Sequence, residues 1–153
     1  MEWYRKSAEQ DNADAQFRLG YCYYLGLGAE KDYTKAVEWY RKSAEQGNAI
    51  AQCNLGYCYE FGEGVDKSLE KAFEWYKKSA EQGNDVAQNN IGNCYLNGQG
   101  VEQSYEKAFE WFKKSAWQGN KNAMKKLADC YYYGRGVEED HDMYLHWKEE
   151  AEK

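Results

Sequence analysis

Cysteine and histidine are the residues of this chain best suited to nucleophilic catalysis or metal binding. Of the five cysteines, four recur every 36 residues: Cys22, Cys58, Cys94 and Cys130. Such a series places one thiol per repeat on the same helix face, so these four lie a full repeat apart and are interpreted as small core residues. Cys53 lies outside the series and is either a groove-facing thiol or an ordinary small residue.

The other candidates for chemistry have simpler structural explanations. His141 and His146 are five residues apart, so a helix would point them to different faces and away from a common metal ion. The acidic run at 137–140 suits the start of a helix, where carboxylates offset the helix dipole. The Gly-Glu-Gly segment at 62–64 lacks the Lys-Ser/Thr ending of a phosphate loop. No Ser/His/Asp or Cys/His set shares a neighbourhood, so we predict no catalytic residue, no metal site, no cofactor and no enzyme activity.

A period of 36 residues organises the whole sequence. It is seen most directly in the tryptophans Trp3, Trp39, Trp75, Trp111 and Trp147. Met1 occupies the column of Val37, so the chain begins inside a repeat, and we expect a longer array whose true N-terminus is missing. The predicted divisions are a truncated second helix at 1–10, repeats at 11–46, 47–82 and 83–118, and a cap-like repeat at 119–153.

Each period predicts two helices joined by a glycine turn. The first, helix A, begins after an N-cap such as Asn48 and ends at Gly62, which is free to adopt a positive φ. The second, helix B, begins after an oxygen-bearing cap such as Ser68 and ends at Gly83. One hairpin of this size cannot bury its apolar face, so neighbouring hairpins must stack. Small residues of helix A would let the helices approach closely: Gly20, Gly56, Gly92 and Ala128.

The repeat unit resembles that of the Sel1-like repeat family. The residues that carry the resemblance in the second copy are Leu55-Gly56, Tyr59, Gly62, Gly64-Val65, Lys71-Ala72, Trp75-Tyr76, Ser79-Ala80 and Gly83. The resemblance covers essentially the whole chain. It implies an all-α, right-handed superhelical α/α solenoid of about four 36-residue helix-turn-helix repeats plus an N-terminal half helix, by analogy with tetratricopeptide stacks. The last copy departs from the pattern at Tyr144, Lys148 and Glu152, as suits a solvent-facing cap.

This resemblance implies a scaffold or adaptor that binds a protein or peptide partner, with no small-molecule ligand expected. Two alternatives are a spacer or regulatory array attached to a catalytic domain such as a kinase, and the hydrolase or β-lactam-binding activity ascribed to the cysteine-rich branch of the family. That branch pairs one cysteine from each helix, whereas the helix B column here holds Ala44, Ala80 and Ala116. Disulfides are therefore not expected, and a reducing, cytoplasmic location is favoured.

Charge and hydropathy argue against two classes of partner. The net charge is −6 and the pI is about 5.1, whereas nucleic acids and anionic membranes are bound by basic surfaces. No apolar run approaches the roughly 18 residues needed to cross a bilayer. We therefore expect neither nucleic-acid binding nor direct membrane insertion.

Columns that hold the stack must repeat, whereas columns that contact a partner are free to vary. Three columns of helix A, expected on the concave face, change their chemistry between copies and supply the predicted partner-binding residues: Phe17, Cys53, Asn89 and Lys125; Tyr21, Tyr57, Asn93 and Asp129; Tyr24, Glu60, Leu96 and Tyr132. Aromatic and amide side chains on rigid helices offer a large contact area at small entropic cost. Two alternatives stay open, namely neutral drift on an exposed face and a contact surface on the outer aromatic edge that includes Trp117.

Overall fold

The 36-residue period takes the form of two alternating kinds of helix. The computed structural model describes residues 1–153 and contains nine helices and no strand. Their bounds are α1 (Glu2–Ala8), α2 (Ala13–Leu25), α3 (Tyr33–Glu45), α4 (Ala49–Phe61), α5 (Leu69–Glu81), α6 (Asp85–Asn97), α7 (Tyr105–Trp117), α8 (Lys121–Tyr133) and α9 (His141–Glu152). The even-numbered helices are copies of helix A and the odd-numbered helices are copies of helix B, so the predicted all-α class is confirmed.

Side-chain caps fix where the helices begin. Every helix A follows an asparagine whose side-chain oxygen accepts a hydrogen bond from the backbone N–H three residues on, at 2.8 to 3.0 Å: Asn12, Asn48, Asn84 and Asn120. Four copies of helix B are capped in the same way by Asp32, Ser68, Ser104 and Asp140. Each bond satisfies a backbone donor that has no acceptor within its own helix. The predicted helix starts are therefore confirmed.

Two turns show why the ends of the helices need glycine. Gly62, at φ +71°, closes α4 and donates its backbone N–H to the carbonyl of Cys58. The turn after helix B uses Gly47 at φ +92°, and in the first copy Asp11 occupies the same column at φ +60°. Asp11 is the one non-glycine residue with a positive φ. The left-handed region is costly for a side chain, so this column favours glycine.

The helices form two compact units, residues 1–82 and residues 83–153. In residues 1–82, α2 packs on α3 and α4 packs on α5, while α1 and α3 cover further faces of α2 and α4. In residues 83–153, α6 packs on α7, α7 on α8, and α8 on α9 around a core that includes Phe112, Leu127 and Trp147. Within each unit, consecutive helices bury their apolar faces against one another, as the repeat pattern predicts.

In three hairpins a helix A glycine lies directly against a helix B aromatic ring. A Cβ atom placed on Gly56 would lie 2.7 Å from Cδ1 of Tyr76, which is shorter than van der Waals contact allows. The other two pairs are Gly20 with Tyr40 and Gly92 with Phe112. In the last repeat Ala128 replaces the glycine and Lys148 replaces the ring. The predicted role of these small residues in close helix packing is therefore confirmed for the three glycines.

Side-chain hydrogen bonds, which the repeat pattern does not predict, also join successive helices. Ser79 Oγ donates to the carbonyl of Ala49 at 2.6 Å, and Gln82 Nε2 donates to Oε1 of Gln52 at 2.8 Å. Gln52 Nε2 in turn donates to the carbonyl of Ala44 at 3.1 Å. These bonds link α3, α4 and α5 while satisfying buried polar groups. Equivalent bonds are donated by Ser43, Gln46, Ser115 and Gln118.

We expect Gly56→Ala to lower the free energy of unfolding by about 1–3 kcal/mol, the usual cost of overpacking a core. In an unconstrained helix the same change stabilises, because alanine is the better helix former. Urea unfolding followed by circular dichroism measures the effect. In the Tyr76→Leu background the shorter, more flexible side chain leaves room for the added methyl group, so the alanine should cost less there. If Gly56→Ala alone were as stable as wild type or more stable, the proposed close contact between Gly56 and Tyr76 would be contradicted.

Candidate partner-binding site

A pocket of about 210 Å³ opens between two copies of helix A in residues 1–82. Its lining residues are Tyr21, Tyr24, Tyr40, Asn54 and Tyr57. Tyr21 and Tyr24 lie on α2, Asn54 and Tyr57 lie on α4, and Tyr40 comes from α3. Three of the five belong to the columns predicted to contact a partner, and the structure brings them together around one space.

The walls and the floor of the pocket differ in exposure. Tyr21 is 43% exposed and Tyr57 is 41% exposed, whereas Tyr40 is 1% exposed. Tyr21 and Tyr57 each follow a buried glycine, Gly20 or Gly56, which faces the ring of helix B. The next position along a helix is rotated by about 100° from it, so the tyrosines stand at the edge of the packed face. Packing therefore buries the floor and leaves two rings accessible.

Tyr24 is held in place by a carboxylate. Its hydroxyl donates to Oε2 of Glu63 at 2.6 Å, and its ring lies 5.1 Å from that of Tyr33 and 6.3 Å from that of Tyr40, centroid to centroid. Burial, and then the hydrogen bond to Glu63, raise the pKa of Tyr24 well above its ordinary value. The phenol therefore stays protonated and keeps donating to the carboxylate.

The floor of the pocket contains a polar atom that has no hydrogen bond. The hydroxyl of Tyr40 is buried and makes no hydrogen bond of ordinary geometry. Burial raises the pKa of Tyr40, and the nearby Asn54 side chain opposes that shift without forming such a bond. Tyr40 and Asn54 were missed by the sequence-based selection. The Asn54 column, which reads Arg18, Asn54, Asn90 and Lys126, varies between copies and carried the signal that could have found it.

The predicted column that contains Cys53 and Asn89, one helical turn before the Tyr21 and Tyr57 column, is more buried than expected. Cys53 is 6% exposed and Asn89 is 8% exposed, so neither projects from the surface, and the groove-facing interpretation of Cys53 is wrong. Cys53 belongs to a turn of α4 in which residues 51–53 are all buried, because α4 packs between α3 and α5. Phe17 is half-buried, and its ring stacks on that of Tyr40 at 6.1 Å between centroids.

Two further predicted residues make contacts within their own hairpins. Glu60 Oε2 accepts a hydrogen bond from the hydroxyl of Tyr76 at 2.6 Å. One repeat later the same two columns hold Leu96 and Phe112, and Leu96 packs against the core cluster that contains Phe112. A carboxylate faces a phenol in one hairpin and an alkyl chain faces a phenyl ring in the next. The variation between these copies therefore reflects internal pairing, although in the sequence alone it looks like partner contact.

The remaining predicted residues belong to the second unit. Asn93 is half-buried, while Lys125, Asp129 and Tyr132 are exposed. The Tyr132 ring lies 4.9 Å from Tyr133 and 5.0 Å from Tyr144, centroid to centroid. These side chains remain accessible to a partner.

Four of the five cysteines are buried in the core, and both histidines pack against aromatic rings. Cys58 and Cys130 are buried, and burial is the main cause that raises the pKa of Cys58 to about 12 and that of Cys130 to about 11. His141 packs on the ring of Tyr144 and His146 on that of Trp147. No three His, Cys, Asp or Glu side chains are grouped so that they could hold a metal ion. None of the helices has the length and apolar character required to cross a bilayer.

Stacked helical hairpins with capped, glycine-terminated helices define a helical solenoid repeat protein. The sequence profile of the Sel1 repeat matches residues 1–12, 13–48, 49–84, 85–120 and 121–147. The chain therefore belongs to the Sel1 repeat family. Solenoids of this family are generally protein-interaction modules and non-catalytic scaffolds.

Two solved structures are similar over 99% of this chain. A Sel1 repeat protein from Oxalobacter formigenes is 40% identical with a TM-score of 0.93, and the match covers 62% of it. A protective antigen present in uropathogenic Escherichia coli strains, which displays an SLR fold, is 38% identical with a TM-score of 0.95, and the match covers 32% of it.

A curated relative matches over a shorter segment. An uncharacterised Sel1-like repeat-containing protein of Schizosaccharomyces pombe is 51% identical over 35 residues, which are 23% of this chain and 5% of the relative. The chain thus spans less than two thirds of the length of each of these three proteins.

We expect Cys58 and Cys130 to resist alkylation by iodoacetamide at pH 8 in the folded protein, because both thiols are buried and a raised pKa removes the reactive thiolate. Cys22, which is half-buried, is the internal reference. Peptide mass spectrometry after a short exposure measures the labelling, and the urea-unfolded chain serves as the fully reactive control. Labelling of Cys58 as fast as that of Cys22 would contradict the prediction.

The pairing of Glu60 with Tyr76 predicts strong coupling between the two residues. Tyr76→Phe leaves the half-buried carboxylate without its donor and should cost about 1 kcal/mol in the free energy of unfolding. The double variant Glu60→Leu/Tyr76→Phe copies the Leu96 and Phe112 pair of the next repeat, and we expect it to be closer to wild type than Tyr76→Phe. Urea unfolding of the two single variants and the double variant measures the coupling. Additive effects of the single changes would show that the two columns are independent.

Proposed function

We propose that this chain is a non-catalytic protein-binding module that holds an extended peptide or a partner helix on the exposed face of its helix A copies. The observation that carries the proposal is the pocket in residues 1–82, where two half-exposed tyrosines, Tyr21 and Tyr57, stand over a floor formed by Tyr40. Exposed tyrosines held by rigid helices contribute a large contact area and lose little entropy on binding.

Membership of the Sel1 repeat family supports the same proposal, because its solenoids are generally protein-interaction modules. The pocket is large enough for one side chain, so we propose that it receives a single anchor residue of the partner. In the second unit, Asn93, Lys125, Asp129 and Tyr132 are proposed as partner contacts of that unit by itself, because they lie in the same columns and keep accessible surface.

A peptide-display selection on the immobilised chain tests this proposal and does not require the partner to be identified first. Selected peptides are synthesised, and their affinities for wild type and for Tyr21→Ala/Tyr57→Ala are measured by fluorescence anisotropy. We expect the double variant to bind at least about tenfold more weakly, since truncation of a tyrosine that acts as a binding hot spot costs about 2 kcal/mol or more.

The matched control is Tyr105→Ala, which removes a tyrosine of similar exposure, 39%, that does not line the pocket. Circular dichroism establishes that all the proteins are equally helical. Selected peptides that bind the double variant as tightly as they bind wild type would overturn the proposed site.

A further inference from the structure

We infer that the tyrosine pocket of residues 1–82 selects an arginine side chain of the bound segment. This inference rests on the proposed function and specifies the chemistry of the anchor residue. Four of the five residues that line this space of about 210 Å³ are tyrosines. The face of an aromatic ring carries negative electrostatic potential, and several rings around one space attract a cation.

A neighbouring carboxylate strengthens this attraction. Glu63 accepts the hydroxyl proton of Tyr24 in a short hydrogen bond of 2.6 Å. A phenol that donates to a carboxylate is polarised towards phenolate, so its ring holds more electron density for a cation. The carboxylate bonds the phenol oxygen and does not line the pocket. It therefore contributes negative potential without offering a direct ion pair.

The polar atoms of the lining favour a guanidinium over an ammonium or an alkyl group. Asn54 is the one amide in the lining, and its side-chain oxygen can accept a hydrogen bond from an N–H donor. A guanidinium has five such donors, is planar enough to stack on rings, and is more weakly hydrated than an ammonium. With no charged residue in the lining, the pocket has little to replace the hydration shell of a lysine. An alkyl side chain would cover the half-buried Asn54 amide without offering it a hydrogen bond.

Cations of the chain itself are directed to other rings. Arg18, one turn before Tyr21 on α2, lies 6.0 Å from the centroid of Tyr4, and Lys31 lies 4.5 Å from the centroid of Tyr33. The net charge of −6 adds a long-range attraction for a basic segment.

The same columns in the second unit do not repeat this chemistry. They hold Asn93, Leu96, Phe112, Lys126 and Asp129 in place of the four tyrosines and Asn54. Lys126, at the position of Asn54, puts a cation where the first unit has an amide. The selectivity for arginine is therefore a property of residues 1–82, and the second unit serves as an internal comparison.

The probe is the peptide acetyl-Gly-Arg-Gly-amide, titrated into the full chain and followed by ¹H–¹⁵N NMR. Matched peptides carry citrulline, lysine or leucine in place of the arginine, and citrulline keeps the shape of arginine without its charge. We expect the arginine peptide to shift the Asn54 side-chain amide signals and the backbone amides of Tyr21 and Tyr57. Its affinity should exceed that of the citrulline peptide by about tenfold, the range of a desolvated cation–π contact.

Two double variants distinguish the contribution of the tyrosine rings to binding from that of their hydroxyl groups. Tyr21→Phe/Tyr57→Phe keeps the aromatic faces and should bind the arginine peptide within about twofold of wild type, whereas Tyr21→Leu/Tyr57→Leu should lose binding. Tyr133→Leu is the control outside the pocket. Binding that survives in the leucine variant would overturn the inference.

The remaining outcomes distinguish this inference from the proposed function. Equal binding of the citrulline or leucine peptide, or no binding of any peptide, would overturn arginine selection. Peptides from the display selection that depend on Tyr21 and Tyr57 but contain no arginine would also overturn it, and they would leave the proposed function standing. Selected peptides that ignore both tyrosines would overturn both.

Discussion

The distance between the two helices of a hairpin is set by contact between a glycine backbone and an aromatic ring. At Gly56 and Tyr76 no Cβ fits between them, so the ring of helix B lies directly on the backbone of helix A. This contact buries the ring almost completely and brings Ser79 and Gln82 within hydrogen-bond reach of helix A. Packing and polar pairing therefore depend on the same close approach.

The candidate binding site is a consequence of this packing. Tyr40 is pressed against Gly20 and so becomes the floor of a pocket, while Tyr21, the residue after the glycine, is turned to the edge of the packed face. The corresponding position of the next repeat brings Tyr57 to the opposite side of the same space. A site built in this way needs no loop and no domain movement, because each of its side chains is fixed by a helix whose position the core determines.

Sequence reasoning predicted the elements better than it predicted the surface. Asn48 as a cap, Gly62 as a helix end and Gly56 as a close-packing residue follow from local chemistry and from the period, and all three are confirmed. The burial of individual side chains was harder to predict. Periodicity shows which residues are equivalent, but it does not show how much of each helical turn is buried by the neighbouring helices. Cys53 is therefore buried where an exposed residue was expected. Pairing between columns, as in Glu60 with Tyr76, also looks like free variation when each column is considered alone.

Core packing fixes the helices that carry Tyr21 and Tyr57, so we expect the proposed binding to require no rearrangement of these helices. A crystal structure of the chain bound to a peptide obtained by display selection tests this expectation most directly. We predict a peptide side chain seated between the two tyrosines above Tyr40, with α2, α3 and α4 in the positions they have in the free chain. A peptide bound elsewhere, or helices α2 and α4 that had moved apart to admit it, would contradict a preformed site.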